Sequence, residues 1–201
     1  MVPKPASIGF AVAAGIPSIA LTAWQALFDL ADLQPEQTIL IHGASGGVGC
    51  FAVQYAKRKG AIAIGTASTA NVEPIKQLGV DQAIDYKRER FEEKVANVDF
   101  VLDTIGGEAR QRSWQTLKPG GLLISTEGAA EPVVSPLPEL RGVPIFVEPS
   151  GSNQLRQIGR LIDSGYLKPP TVEVFPLREA AKVHDAIQNE HRRGKFVLQI
   201  A

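Results

Sequence analysis

Apolar residues along this chain follow two alternating rhythms. Short, nearly continuous apolar runs, the mark of strands buried on both faces, occur at Thr38–His42, Ala61–Ala67, Ala83–Tyr86, Phe100–Asp103, Leu122–Thr126 and Ile145–Val147. Between most of them lie stretches with helical spacing, at Val72–Leu78, Glu108–Leu117 and Gln154–Ser164. The clearest helix carries Val48, Phe51, Ala52, Tyr55 and Ala56 on one face. Lys57, Arg58 and Lys59 put cations on its negative end, and Gly60 supplies a left-handed cap. Strands alternating with helices pair in parallel through right-handed crossovers, so the pattern predicts an α/β fold with a doubly wound parallel sheet of about six strands.

Two regions stand outside that alternation. Phe10–Leu30 has helical spacing interrupted at Pro17, with Ala23, Trp24, Leu27 and Phe28 as its packed face, and reads as a lead-in helical segment. At the other end, Thr171–Val174 and Phe196–Ile200 read as strands flanking a helix over Leu177–Gln188. A sheet complete at about six strands has no place for them, which assigns them to another layer. The proline-bearing stretch from Glu131 to Pro144 reads as a loop near the carboxyl edge of the sheet. The chain thus divides into a lead-in segment (1–35), a nucleotide-binding domain (36–167) and a tail (168–201).

Composition narrows the function classes. The 201 residues, 44% of them hydrophobic, suffice for one good core. Lys and Arg number 21 and so do Asp and Glu, which leaves no net field to draw in nucleic acid or an anionic membrane surface. No apolar run approaches the roughly 20 residues of a spanning helix, and the start does not resemble a signal peptide, so the expected location is cytoplasmic. The single cysteine, Cys50, excludes an internal disulfide and a cysteine-cluster zinc site. His42, His184 and His191 lack ligand spacing, and no metal is expected.

The chemistry sits after the first strand, in Gly43-Ala44-Ser45-Gly46-Gly47-Val48-Gly49. Ala44, Gly46 and Gly49 occupy the positions for the tight turn, the close approach of pyrophosphate to the backbone and the packing of helix on strand. The helix starting near Gly47 points free amides and its positive dipole end at a diphosphate, as in a Rossmann dinucleotide site. A carboxylate at the end of the next strand would hold the ribose 2′-hydroxyl of NAD. Thr66-Ala67-Ser68-Thr69-Ala70-Asn71 stands there instead, with donors and no acid, which favours NADP. Tyr55 and Lys59 form a Tyr-x-x-x-Lys pair, but on the packed face of the phosphate-loop helix, where a structural role is expected. Leu117-Lys118-Pro119-Gly120-Gly121 before a strand also suits a methyltransferase, a reading that the missing acid disfavours.

These motifs occur in an order that resembles a known family. Gly15-Ile16-Pro17, Leu21-Thr22-Ala23-Trp24, His42 through Gly49, Leu78-Gly79-Val80-Asp81, Asp85-Tyr86, Asp103-Thr104-Ile105-Gly106-Gly107, Leu117 through Gly121 and Gly194-Lys195 are similar to the zinc-independent quinone oxidoreductase branch of the medium-chain dehydrogenases. The resemblance implies NADPH-dependent hydride transfer to a quinone or an α,β-unsaturated carbonyl compound without metal. It implies that Thr22 approaches the cofactor phosphates, Ser45, Gly46, Gly47 and Val48 the diphosphate, and Ser68 and Asn71 the 2′-phosphate. Tyr86 is implied beside the adenosine, Thr104 and Phe146 towards the nicotinamide, and Arg193 along the cofactor. No residue is assigned as catalytic. Family members carry a lysine or arginine near Asn71 that this sequence lacks. They also carry a catalytic domain ahead of the part matching Met1, and their last strands return to it. Two arrangements follow: an oxidoreductase lacking its catalytic domain here, or a non-catalytic NADP-binding module working with a partner chain. The unpaired tail strands suggest a homodimer or that missing domain as partner.

Overall fold

The computed structural model describes residues 2–127, 133–148, 151–189 and 194–200. Its lead-in is two helices, α1 (Phe10–Ala14) and α2 (Pro17–Trp24), with Pro17 in the first turn of α2, where its missing N–H costs nothing. A six-residue π-helical stretch, Gln25–Leu30, continues α2. The sheet is then built from β1 (Thr38–Ile41), β2 (Ile62–Ala67), β3 (Gln82–Asp85), β4 (Val98–Asp103), β5 (Leu117–Ser125) and β6 (Arg141–Pro144). All pairings are parallel and the order is β3-β2-β1-β4-β5-β6. The crossovers carry α3 (Gly47–Lys59), α4 (Val72–Gln77) and α5 (Gly107–Ser113), and α6 (Ser152–Asp163) follows β6.

Two apolar clusters cover the two faces of the sheet. One joins Ile39, Ile41, Phe51, Ala52 and Tyr55 to Ile19, Ala23 and Leu27, so the lead-in helices share the core of the domain. The other gathers Leu40, Val101 and Leu123 with Phe91 and Trp114. The alternation of Ile39 and Ile41 against Leu40 is the strand period of two, with both faces buried.

The expected α/β sheet and its strand number are as observed, with local corrections. The sixth strand is Arg141–Pro144, at the end of the segment read as a loop, and Ile145–Val147 lies beyond it. Pro144 is tolerated because β6 is an edge strand, paired only to β5. Gly142 is required there: a Cβ would run into the Val133 carbonyl oxygen and lie 2.9 Å from Trp114. β5 starts at Leu117 rather than Leu122, and α5 gives way at Trp114–Thr116 to a 3-10 turn. The tail forms a separate two-stranded parallel sheet, β7 (Val172–Pro176) with β8 (Lys195–Gln199), joined by α7 (Ala180–Asn189).

Candidate nucleotide-binding site

The strand order reverses between β1 and β4, the switch point outside whose carboxyl ends sheets of this kind bind their ligands. The loop from β1 to α3 turns at Gly43, whose φ of 65° is left-handed. The tight-turn position is therefore Gly43 rather than Ala44, which is fully buried and donates its N–H to the Thr66 carbonyl. Gly49 has its expected packing part: a Cβ would collide with the Gly43 carbonyl oxygen and lie 2.7 Å from Ala44 Cα. Helix α3 begins with an extended Gly46 that supplies no side-chain cap, and its first i→i−4 bond runs from Cys50 N to Gly46 O at 2.9 Å. The preceding amides, Gly47, Val48 and Gly49, are the orphan donors that an anion satisfies.

The implied binding residues line up along the strand ends. Ser68 and Asn71 follow β2, Tyr86 follows β3 and is 47% exposed, Thr104 follows β4, and Phe146 lies two residues beyond β6. Five inter-strand gaps of about 4.8 Å make a row of roughly 24 Å, long enough for an extended dinucleotide. At the β2 end the Asn71 side-chain amide donates to Ser68 Oγ at 3.1 Å, which leaves the Ser68 hydroxyl proton for another acceptor. Thr69 is not available in this way, because its hydroxyl donates to Asp85. That bond, with the Lys87 amide and Arg88 nearby, holds the Asp85 carboxyl below the usual range. Lys76 pairs with Glu73 at 3.7 Å rather than turning towards Asn71.

Two of the implied residues have committed hydroxyls. Thr22 donates to Ser18 O within α2 at 2.8 Å, and Thr104 donates to His42 O at 2.9 Å. Thr104 thereby clips the end of β4 onto the start of the phosphate loop. The carboxylate of Asp103 supports that turn from below, accepting from Ile105 N, Gly106 N and the Ser125 hydroxyl. Phe146, 64% exposed, borders a cavity of about 650 Å³ together with Gln25, Asp29 and Gln154. Arg193 and His191 lie outside the described residues.

Sequence reasoning missed one feature. Lys195 reaches the phosphate loop from the tail, its Cδ 3.3 Å from where a Gly47 Cβ would stand, while Gly194 bridges Gly46 in parallel. The signal was the Gly194-Lys195 pair, whose function only the fold supplies. His42, which the sequence offers as a structural strand-end residue rather than a general base, is buried just after β1. Ser113 Oγ donates to Ala109 O at 2.6 Å, so it accepts from His42 Nε2 at 2.8 Å, which leaves Nδ1 to accept from the Thr66 hydroxyl at 3.1 Å. Burial is the main reason that the His42 pKa is lowered to about 4, so the ring is neutral and structural at pH 7. Tyr55 is likewise structural: it is buried, its hydroxyl donates to Ala20 O at 3.4 Å, and burial raises its pKa.

A sheet of this order with this phosphate loop defines a nucleotide-binding α/β domain. More narrowly, the chain belongs to the family described as zinc-binding dehydrogenase, which matches residues 78–198, and it is the cofactor-binding half of the quinone oxidoreductase type. It is 32% identical to a probable mitochondrial zinc-binding oxidoreductase of Arthroderma benhamiae, over 98% of this chain and 64% of that protein. It is 33% identical to the chloroplastic NADPH-dependent alkenal/one oxidoreductase of Arabidopsis thaliana, over 97% of this chain and 48% of that protein. The quinone oxidoreductase structure from Coxiella burnetii superposes with a TM-score of 0.90 at 32% identity, covering 100% of this chain and 64% of that one. The chain therefore spans less than two thirds of the length of these relatives. Zinc does not fit the residues present: Cys50 is the single cysteine, and among the described residues no three of His, Cys, Asp and Glu gather. No helix among the described residues is long and apolar enough to cross a membrane.

Proposed function

We propose that this chain is the NADPH-binding part of a zinc-independent oxidoreductase that transfers hydride to a quinone or an α,β-unsaturated carbonyl compound, with the catalytic domain outside these residues. The reading rests on the end of β2, where Ser68 keeps a free hydroxyl proton beside Asn71 and the Asp85 carboxylate at the end of β3 is already engaged by Thr69. Such an end accepts a 2′-phosphate that an acid there would repel. Bound NADPH supplies the hydride, and the chain's own residues hold and orient it. The amides of Gly47 and Val48, the Ser45 hydroxyl and Lys195 hold the diphosphate against the Gly46 backbone, whose own N–H donates to the Gly43 carbonyl at 2.9 Å. Tyr86 flanks the adenosine, Thr22 the phosphates, and Thr104 and Phe146 the nicotinamide end. A small-molecule acceptor, a cytoplasmic setting, and either a homodimer or the absent domain as partner complete the proposal.

The test is a fluorescence titration of the chain with NADPH and NADH, followed by addition of a quinone. Preference for NADPH with turnover is expected of a sufficient enzyme, and binding without turnover assigns the chain to a module that needs its partner. Failure to bind either nucleotide would overturn the proposal. Ser68→Asp should weaken NADPH by at least about tenfold and leave NADH nearly unchanged, since it adds a charge facing the 2′-phosphate.

A further inference from the structure

The far end of α3 carries a second site-like arrangement, independent of the cofactor reading. The helix has 13 residues, so at about 1.5 Å per residue its last turn lies roughly 18 Å from the phosphate loop. There a cavity of about 520 Å³ opens between α2, α3 and α6. Its floor is aromatic. Trp24 meets Phe28 edge-on at 4.9 Å and Tyr55 at 5.5 Å, and Phe28 lies 5.7 Å from Tyr55. The Arg58 guanidinium stands 4.9 Å over the Tyr166 ring to make a wall, and Lys59 and Arg160 complete the rim. Among the described residues no acidic side chain lines the cavity.

Cations at helix carboxyl ends answer the macrodipole, and that explains the residue types at both α3 and α6. It does not explain their convergence. Each helix end carries about half a negative charge, so two of them offset roughly one of the three cations. Among the described residues none of the three forms an ion pair, whereas neighbouring Lys57 pairs with Asp81 at 2.7 Å. The positive rim is therefore uncompensated above an apolar floor.

We infer that this cavity is a binding site for a small aryl anion, a planar aromatic body with a carboxylate or sulfonate head. The body lies against Trp24 and Phe28, and the head meets Arg58 and Arg160, where guanidinium can contact two oxygens of either oxyanion at once.

The probe is 8-anilinonaphthalene-1-sulfonate, added to the full 201-residue chain carrying Trp114→Phe, which leaves Trp24 as the only tryptophan. Saturable one-to-one binding that quenches Trp24 and is unaffected by NADPH is expected. Affinity should fall at least about tenfold in Arg58→Glu/Arg160→Glu, because a charge-assisted contact is lost and a repulsive one added. Arg160→Gln, milder on an exposed position, should weaken binding by about threefold. The uncharged analogue N-phenyl-1-naphthylamine should bind at least tenfold more weakly, roughly the effect of one charge-assisted bond. Unchanged affinity in both rim variants, displacement of the probe by NADPH, or binding without Trp24 quenching would each overturn the inference.

Discussion

Leu40 and Val174 are both apolar residues in the middle of a parallel strand, yet Leu40 is fully buried and Val174 is 44% exposed. Leu40 sits in β1 with β2 on one side and β4 on the other, under a complete cluster of side chains. Val174 sits in β7, whose only strand partner among the described residues is β8, and Leu177, Ile187 and Ile200 around it are also half exposed or more. Parallel strands are normally covered on both faces. The large sheet meets that condition within this chain, and the small one does not. The phosphate loop hangs on the complete sheet, which is why its geometry is held by the chain's own packing. Among the described residues, the incomplete sheet touches the phosphate loop through Gly194 and Lys195.

The largest expected effect is from Gly49→Ala, at the joint between loop and helix. Its methyl would meet the Gly43 carbonyl oxygen, backbone that has no rotamer to yield. We expect a stability loss of more than about 4 kcal/mol, beyond ordinary overpacking, and nucleotide affinity down by at least about a hundredfold where the loop is displaced by an ångström. Urea unfolding and an NADPH titration measure the two. Leu40→Ala tests the complete sheet without touching the loop, and should cost about 4 kcal/mol in the same unfolding experiment.

Both sheets were legible in outline, the tail as two strands of another layer flanking a helix and the large sheet from its buried runs. An apolar run of Thr38–His42 before glycines and a 3.6-period helix has one reading, and the fold bears it out. β6 was misplaced because Gly142 and Pro144 are loop signals locally, and only the edge position and the closeness of Val133 and Trp114 make them strand residues. The π-helical register of Gln25–Leu30 was hidden for a similar reason. It turns Gln25 towards Glu148 and Asp29 towards Gln154, and nothing in the spacing of apolar residues distinguishes that register from an α-helix. The site residues on strand ends were legible as positions, whereas the commitment of the Thr69 and Thr104 hydroxyls depended on Asp85 and His42, distant in sequence, and that of Thr22 on the helical register that sets it four residues after Ser18.

Next in size is an acid effect confined to the complete sheet. His42 joins β1 to β2 through Thr66 and to α5 through Ser113, and its folded pKa of about 4 lies below the unfolded 6.5. Between those values the unfolded chain binds a proton that the folded chain refuses, so stability falls as pH drops from about 6.5 and the loss is complete below about 4. The difference corresponds to about 3 kcal/mol. Urea midpoints measured from pH 7.5 to 4 should show this slope, and His42→Gln, uncharged throughout, should flatten it. An unchanged slope in the variant would mean that the carboxylates dominate the acid response.

The smallest expected effect sharpens the comparison most. Val174→Ala removes methyl groups that are already nearly half in water, so the cost in the isolated chain should be under about 0.5 kcal/mol, against about 4 for Leu40→Ala. Amide exchange should agree, with β7 and β8 opening at far lower free energy than β1 and β4, because one pair of strands has to part rather than a covered sheet. A cost above about 1.5 kcal/mol for Val174→Ala would contradict this, since burying a whole valine is worth only about that much. The methyls would then be covered in solution by a second copy or by another part of this chain. Repeating the melt at several protein concentrations identifies the cover: a midpoint that rises with concentration is the mass-action mark of a second copy, and a constant midpoint assigns the burial to the 201 residues themselves.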